Sequence, residues 1–220
     1  MKFALITEGA SEHRIIKHII SKYFKEQEPD INQIQPKLVN DKQETTGGWN
    51  EVLKYCEREE LNAILVENDY LIIQIDTDQS PNNPFNVSHT KKGQLISDEE
   101  LHTDIIAKLK SLIKPDIMQK HGERILFAVC IHTIECWLLP LFYNDKNRAK
   151  TATCLDILNK KLVVNKITPI TAANKNKPNG IRSYATVLKE MKKKTEIIEH
   201  ARHNIGFEKF IDSLNIIVVS

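Results

Sequence analysis

Three groups of acidic residues fall where an α/β sheet usually carries its chemistry, just past the carboxyl ends of strands. Glu8 follows the apolar run Lys2 to Thr7. Asp76-Thr77-Asp78 follows Tyr70 to Ile75. Glu135 follows Arg124 to Ile131. Residues two apart in an extended backbone point the same way, so Asp76 and Asp78 would stand on one side, roughly 6–7 Å apart. Two such carboxylates repel unless a proton or a cation sits between them. A hard divalent ion answers that need. Mg²⁺ (or Mn²⁺) takes oxygen ligands, uses one or two carboxylates and leaves the rest for water and phosphate. Glu8 would complete the coordination or act as general acid or base, and Glu135 would support the group. Each acid alone reads as a solvated turn or a helix-start residue. Their joint placement carries the reading.

The elements that must position these acids can be read from the hydrophobic pattern. KFALIT, YLIIQI and RILFAVCI are short apolar runs without helical spacing, suited to strands buried on both faces. A weaker strand is expected over Ile34 to Val39. Between them lie helical patterns: from Ser11, read as the cap, to about Phe24; from Trp49 to Glu60; and from Ser97, which opens a capping box, along Leu101, Ile105, Leu109 and Leu112 to the stop at Pro115. Asp78 to Lys92 reads as loop. Glu135 to Tyr143 looks helical and very apolar, with Trp137 in the core. This alternation predicts an α/β fold, a mainly parallel sheet flanked by helices, over residues 1–145. Residues 146–220 read as a basic, mostly helical C-terminal extension. It has a short helix near 152–158, further short helices from Ser183 to Leu214, and a closing IIVV that forms a strand or a docked tail.

The chain has 220 residues, with 31 Lys plus Arg against 29 Asp plus Glu. A net charge of +2 excludes nucleic-acid binding by bulk charge, though not by a local basic face. Lys175 to Tyr184 (KNKPNGIRSY) joins bases, a glycine turn and an aromatic. That mix suits a loop contacting phosphates, with Lys177 and Arg182 neutralising the backbone and Tyr184 stacking. Arg14, at the start of the first helix, is a further phosphate contact. His132 and Glu135 have the spacing of one helical face, but no second histidine gives zinc spacing. The four cysteines, Cys56, Cys130, Cys136 and Cys154, form no CxxC pair and are expected to be reduced thiols in a cytoplasmic protein. No apolar run is long enough for a membrane helix, and no P-loop motif is present.

Glu8-Gly9 just ahead of a helix, followed by Asp76-x-Asp78 after an apolar strand, resembles the Toprim domain of topoisomerases, primases and related nucleases. The opening ITEGASEH, IDTDQ, HTIECWLLP and the closing NIGFEKFIDSL also resemble small stand-alone Toprim-like proteins of bacterial defence and mobile-element neighbourhoods (the DUF4276-type group). The resemblance implies a Toprim-like (Rossmann-like) fold. It also implies a Mg²⁺ site made by Glu8, Asp76 and Asp78 for phosphodiester cleavage on DNA or RNA, in a phage-defence setting with a partner ATPase. Gln79-Ser80-Pro81 follows the DxD here, where the commonest family pattern has a glycine-containing acidic run. Two other readings use the same residues: a non-catalytic partner module of an ATPase or nuclease, and a phosphohydrolase of small nucleotides.

Overall fold

The computed structural model describes residues 1–39 and 42–217. In chain order the elements open with strand β1 (Lys2–Ile6), helix α1 (Ala10–Tyr23), strand β2 (Asp30–Gln35) and a small ribbon of β3 (Leu38–Val39) and β4 (Lys42–Gln43). Helices α2 (Trp49–Cys56) and α3 (Glu60–Glu67) lead to strand β5 (Tyr70–Asp76). A second ribbon, β6 (Thr90–Lys91) and β7 (Gln94–Leu95), precedes helices α4 (Asp98–Leu112) and α5 (Pro115–His121), then strand β8 (Ile125–Cys130). A 3₁₀ run, Ile134–Leu141, follows, and then helices α6 (Cys154–Val164), α7 (Pro178–Leu188), α8 (Lys194–Ala201) and α9 (Ile205–Asn215).

The four long strands form one parallel sheet in the order β2-β1-β5-β8. With helices on both faces this is a Rossmann-like α/β architecture. Side chains alternate across the central strands, as the period of two demands. Phe3, Leu5, Ile72, Leu126 and Ala128 face one core, and Ala4, Ile6, Leu71, Ile73, Ile75, Phe127 and Val129 face the other. The second core is covered by α2 to α5. The first is covered by α1 together with the 3₁₀ run and α6 to α9, so residues from both ends of the chain build it. Trp137 lies at its centre, fully buried and stacked on Phe207 at 4.6 Å between ring centroids. Gly206 lets the start of α9 approach the sheet, since a Cβ there would stand 2.2 Å from the carbonyl oxygen of Val129.

Several expectations are corrected. The strand beside β1 is Asp30–Gln35, polar and half-exposed, instead of Ile34 to Val39. An edge strand has one solvated flank and needs no apolar run, so it left no hydrophobic signal. The helix from Trp49 ends at Cys56, and a separate helix, α3, fills the stretch before β5. Gly9, not Ser11, stands at the N-cap of α1, and Ser11 is buried inside the first turn. Ser97 caps α4 as expected, its hydroxyl accepting from the Glu100 N–H at 3.1 Å. The loop after Asp78 carries the β6–β7 ribbon at its end. In the closing IIVV, Ile216 is exposed and Ile217 buried, with no strand. Val218 and Val219 lie outside the described residues.

The expectation of four reduced thiols is also corrected. Cys136 of the 3₁₀ run and Cys154 of α6 form a disulfide, with 5.0 Å between their Cα atoms, while Cys56 and Cys130 are free and buried. Packing of α6 on the 3₁₀ run brings the pair together, and a separation of 18 residues carries no sequence signature of it. No helix among the described residues is long and apolar enough to cross a membrane.

Candidate active site

The acids converge at the carboxyl edge of the sheet, on the face covered by α1 and the C-terminal helices. Asp76 ends β5 and is 8% exposed. Gln74 precedes it on the same side of the pleat, fully buried, and clamps the site from both ends. Its Nε2 donates to Asp76 Oδ1 at 2.9 Å, and its Oε1 accepts from the Glu8 N–H at 3.1 Å. The Glu8 side chain returns across the strands, its Oε1 accepting from the Asp76 N–H at 2.6 Å. The Glu8 carbonyl accepts from the Gly48 N–H at 2.7 Å. Gly47 is required beside it, because a Cβ there would stand 2.2 Å from that carbonyl oxygen.

Asp78 lies one turn beyond the strand and is partly exposed. Its N–H donates to the His132 carbonyl at 3.1 Å, and Thr77 Oγ1 accepts from the His132 N–H at 2.7 Å. His132 takes a left-handed backbone conformation, φ 64°, at this crossing. The DxD turn and the exit of β8 are thus tied together. Asp76 and Asp78 do not form the two teeth of one extended strand, because the chain leaves the sheet between them. The electrostatic coupling between them persists.

Two more acids complete the cluster. Glu12, in the first turn of α1, is 2% exposed; it accepts from the Ser11 hydroxyl at 2.9 Å and from Lys175 Nζ at 3.4 Å. Glu135, 5% exposed, accepts from the Tyr184 hydroxyl at 2.5 Å. His132 and Glu135 therefore do not pair, and Tyr184 is a buried donor with no exposed face for stacking. Lys175 comes from the loop before α7. Gly180 lets that loop pass close, since a Cβ there would meet the Asn174 carbonyl oxygen at 2.3 Å and Lys175 Cα at 2.8 Å.

Five carboxylates thus share one partly buried space with one ammonium. Burial pushes the Glu8 carboxyl up to about 8. The Asp76 N–H opposes this, and the charges of Glu12 and Asp78 add to it. Asp76 is driven well above the usual carboxylate range by burial, then by Glu8, Glu12, Glu135 and Asp78. Lys175 is held firmly protonated, chiefly by Glu12. Burial and then Glu135 raise the Tyr184 phenol, which stays a donor.

Of the phosphate contacts expected from sequence, Lys177 and Arg182 lie apart from this cluster. Arg14 lies on the flank of α1 toward α7. Lys177 is the exposed N-cap of α7, and Arg182 is exposed, with Nη2 donating to Asn179 Oδ1 at 3.0 Å on its own helix. The base that reaches the acids is Lys175. Lys175 and Tyr184, expected in a phosphate-contacting loop with Tyr184 stacking, instead bond Glu12 and Glu135, and the sequence reading did not place Glu12 or Gln74 at the site. Gln74 had a signal: a polar residue inside an otherwise apolar strand, two before Asp76.

Among the described residues, no three His, Cys, Asp or Glu side chains close around one point as ligands would. The hydrogen bonds explain the spread: Glu12 turns to Lys175 and Ser11, Glu135 to Tyr184, and Glu8 and Asp76 each hold an N–H donor. The donor chemistry nevertheless fits a hard cation. The donors are carboxylate oxygens in excess of the available positive charge, and two of them, Glu8 and Asp76, resist ionisation because of burial first and the neighbouring acids second. In addition, His132 Nδ1, beside Asp78 in the chain crossing, is buried without a hydrogen-bond partner among the described residues. No protein-family model matches the chain, and no curated protein or solved structure does either.

Proposed function

We propose that this chain is a divalent-cation-dependent phosphodiester-cleaving protein acting on nucleic acid. Glu8, Asp76 and Asp78 are its metal and acid–base group, and Glu135 supports them. One observation carries the reading: Glu8, Asp76 and Asp78 at the ends of two parallel strands, Glu12 of α1 and Glu135 of the 3₁₀ run share a space with Lys175. The Toprim resemblance of Glu8-Gly9 and Asp76-x-Asp78 supports the same assignment. When bound, Mg²⁺ or Mn²⁺ supplies positive charge that stabilises the charge developing on the phosphate oxygens.

The remaining roles belong to the chain. Glu8 Oε1 is occupied by the Asp76 N–H, so Oε2 is the atom that holds or takes a proton. A carboxyl pushed up to about 8 is poised for proton transfer near neutral pH. Gln74 fixes Asp76 and the Glu8 backbone in register. Lys175 and Tyr184 hold Glu12 and Glu135 in place. Asp78 is partly exposed and so is open to a substrate.

The test is cleavage of labelled single- and double-stranded DNA and RNA with Mg²⁺ or Mn²⁺. It compares the wild type with Asp76→Asn and Glu8→Gln, each checked for folding by circular dichroism. Metal-dependent cleavage lost in both folded variants is the expected result. Cleavage unchanged by Asp76→Asn would overturn the assignment. One observation favours a second reading, a non-catalytic module: Lys175 already offsets part of the charge, which allows a stable metal-free cluster. That reading expects no cleavage of any of these substrates by the wild type.

A further inference from the structure

A groove of about 480 Å³ runs between α1 and α7, lined by His13, Arg14, Lys17, His18, Lys22 and Lys189 among others. Its lining contains no acid, and Leu188 and Ala185 contribute apolar surface. Among the described residues, Lys17, Lys22 and Lys189 take part in no ion pair. Their charge is therefore not offset by an acid within the groove.

The same two helices build the groove and one wall of the acidic cluster. On α1, Glu12 belongs to the cluster and the next residue, His13, to the groove. On α7, Tyr184 belongs to the cluster and the next residue, Ala185, to the groove. The basic groove therefore opens beside the acids. From His13 to Lys22 it follows about 13 Å of helix. Lys17 and Lys22 stand about 7.5 Å apart along the helix axis, close to the roughly 6–7 Å phosphate spacing of one extended strand. His18 sits in it as a fixed element: its Nε2 bonds the Met191 carbonyl at 2.9 Å, and burial lowers its proton affinity.

We infer that the α1–α7 groove binds the phosphate backbone of single-stranded nucleic acid, with Lys17, Lys22 and Lys189 as its phosphate contacts, and leads the strand to the carboxylate cluster. This rests on the proposed function and names the substrate class and its path. It also replaces Lys177 and Arg182, which lie elsewhere on α7, as the principal phosphate contacts.

The experiment measures binding of a fluorescein-labelled 20-nucleotide single strand by anisotropy in EDTA, so that neither metal nor turnover enters. It uses wild type and a Lys17→Glu/Lys22→Glu/Lys189→Glu variant over a range of salt. Three phosphate contacts to a single strand contribute a salt slope of roughly 2 and, at 0.1 M salt, on the order of 100-fold in affinity. The expected result is that loss in the variant, with its folding and its response to Mn²⁺ in thermal unfolding unchanged. Equal affinity in variant and wild type would overturn the inference, as would no binding by the wild type or tighter binding of the matching duplex. Cleavage assays report separately on the proposed function. A wild type that cleaves while the triple variant binds and cleaves equally well removes the groove and leaves the active site standing. Binding lost in the variant, without cleavage by the wild type, does the reverse.

Discussion

The two edges of the parallel sheet are built from the same strands and handle charge in opposite ways. At the amino edge, Asp69 is exposed and its Oδ2 accepts the Lys2 N–H at 2.7 Å. Nearby, Asn32 donates to Asn68 at 2.8 Å, and Arg124 reaches the Asn68 carbonyl at 3.4 Å. Each of these groups is hydrogen-bonded, and Asp69 is exposed to solvent. At the carboxyl edge, Glu8, Glu12, Asp76 and Glu135 are drawn under the C-terminal helices beside Asp78, with Lys175 as their cation. Folding alone needs only the first arrangement. The second raises the proton affinity of Glu8 and Asp76 and holds like charges together, which costs stability until a cation or protons arrive. A fold that accepts such a cost at one edge and avoids it at the other marks the first as its working edge.

The comparison breaks most visibly in activity. Asp76→Asn is expected to lower metal-dependent cleavage by about 10³-fold, the order of loss seen when a group stabilising developing charge is removed. Asp69→Asn at the opposite edge is expected to leave cleavage within about two-fold and stability within about 1 kcal/mol. Parallel assays of the two variants read the contrast directly.

Next in size is the disulfide, which ties α6 to the 3₁₀ run that carries Glu135. A closed loop of this length is worth roughly 3 kcal/mol. Denaturant unfolding with and without reductant should show a loss of that order, absent in a Cys136→Ala/Cys154→Ala variant. Lys175→Met removes the ammonium from the acids. Because Lys175 is 38% exposed, solvent screens the loss, and about 1 kcal/mol of destabilisation at pH 8 is expected by chemical unfolding.

The same contrast also appears as a pH slope of unusual sign. The Glu8 and Asp76 carboxyls keep protons in the folded state that the unfolded chain releases at lower pH. The Glu8 contribution to stability is therefore complete below pH 4.5 and is lost as pH rises through about 8, and that of Asp76 declines with rising pH in the same sense. Thermal unfolding in EDTA should show this decline, which Asp76→Asn should reduce. A slope unchanged in that variant would place the titration elsewhere.

The contrast between edges also shows what a sequence can carry. Glu8, Asp76 and Asp78 could be found because each follows an apolar run that only a buried strand explains, and parallel strands put their ends on one side. The four-stranded parallel order follows from the same runs. Lys175, Tyr184 and the Cys136–Cys154 pair were beyond reach because tertiary packing creates their partners. Lys175 meets Glu12 across 163 residues, and no local pattern encodes that meeting. Glu12 is an acid in the first turn of α1, a position favoured by the helix dipole whether or not it has a further task, so its type and place carry no signal of the site. The polar strand β2 was misplaced because an edge strand can form without the hydrophobic signature that identified its neighbours.

Thermal unfolding of the wild type and of Asp76→Asn at pH 8, with Mn²⁺ or Mg²⁺ titrated against EDTA, tests the central claim most directly. A ion that binds only the folded cluster raises stability by mass action, about 2.7 kcal/mol at one hundred times its dissociation constant. The account predicts a saturable rise in melting temperature for the wild type that Asp76→Asn abolishes. A wild type that melts at the same temperature with millimolar metal as with EDTA, or an equal rise in both proteins, would contradict it.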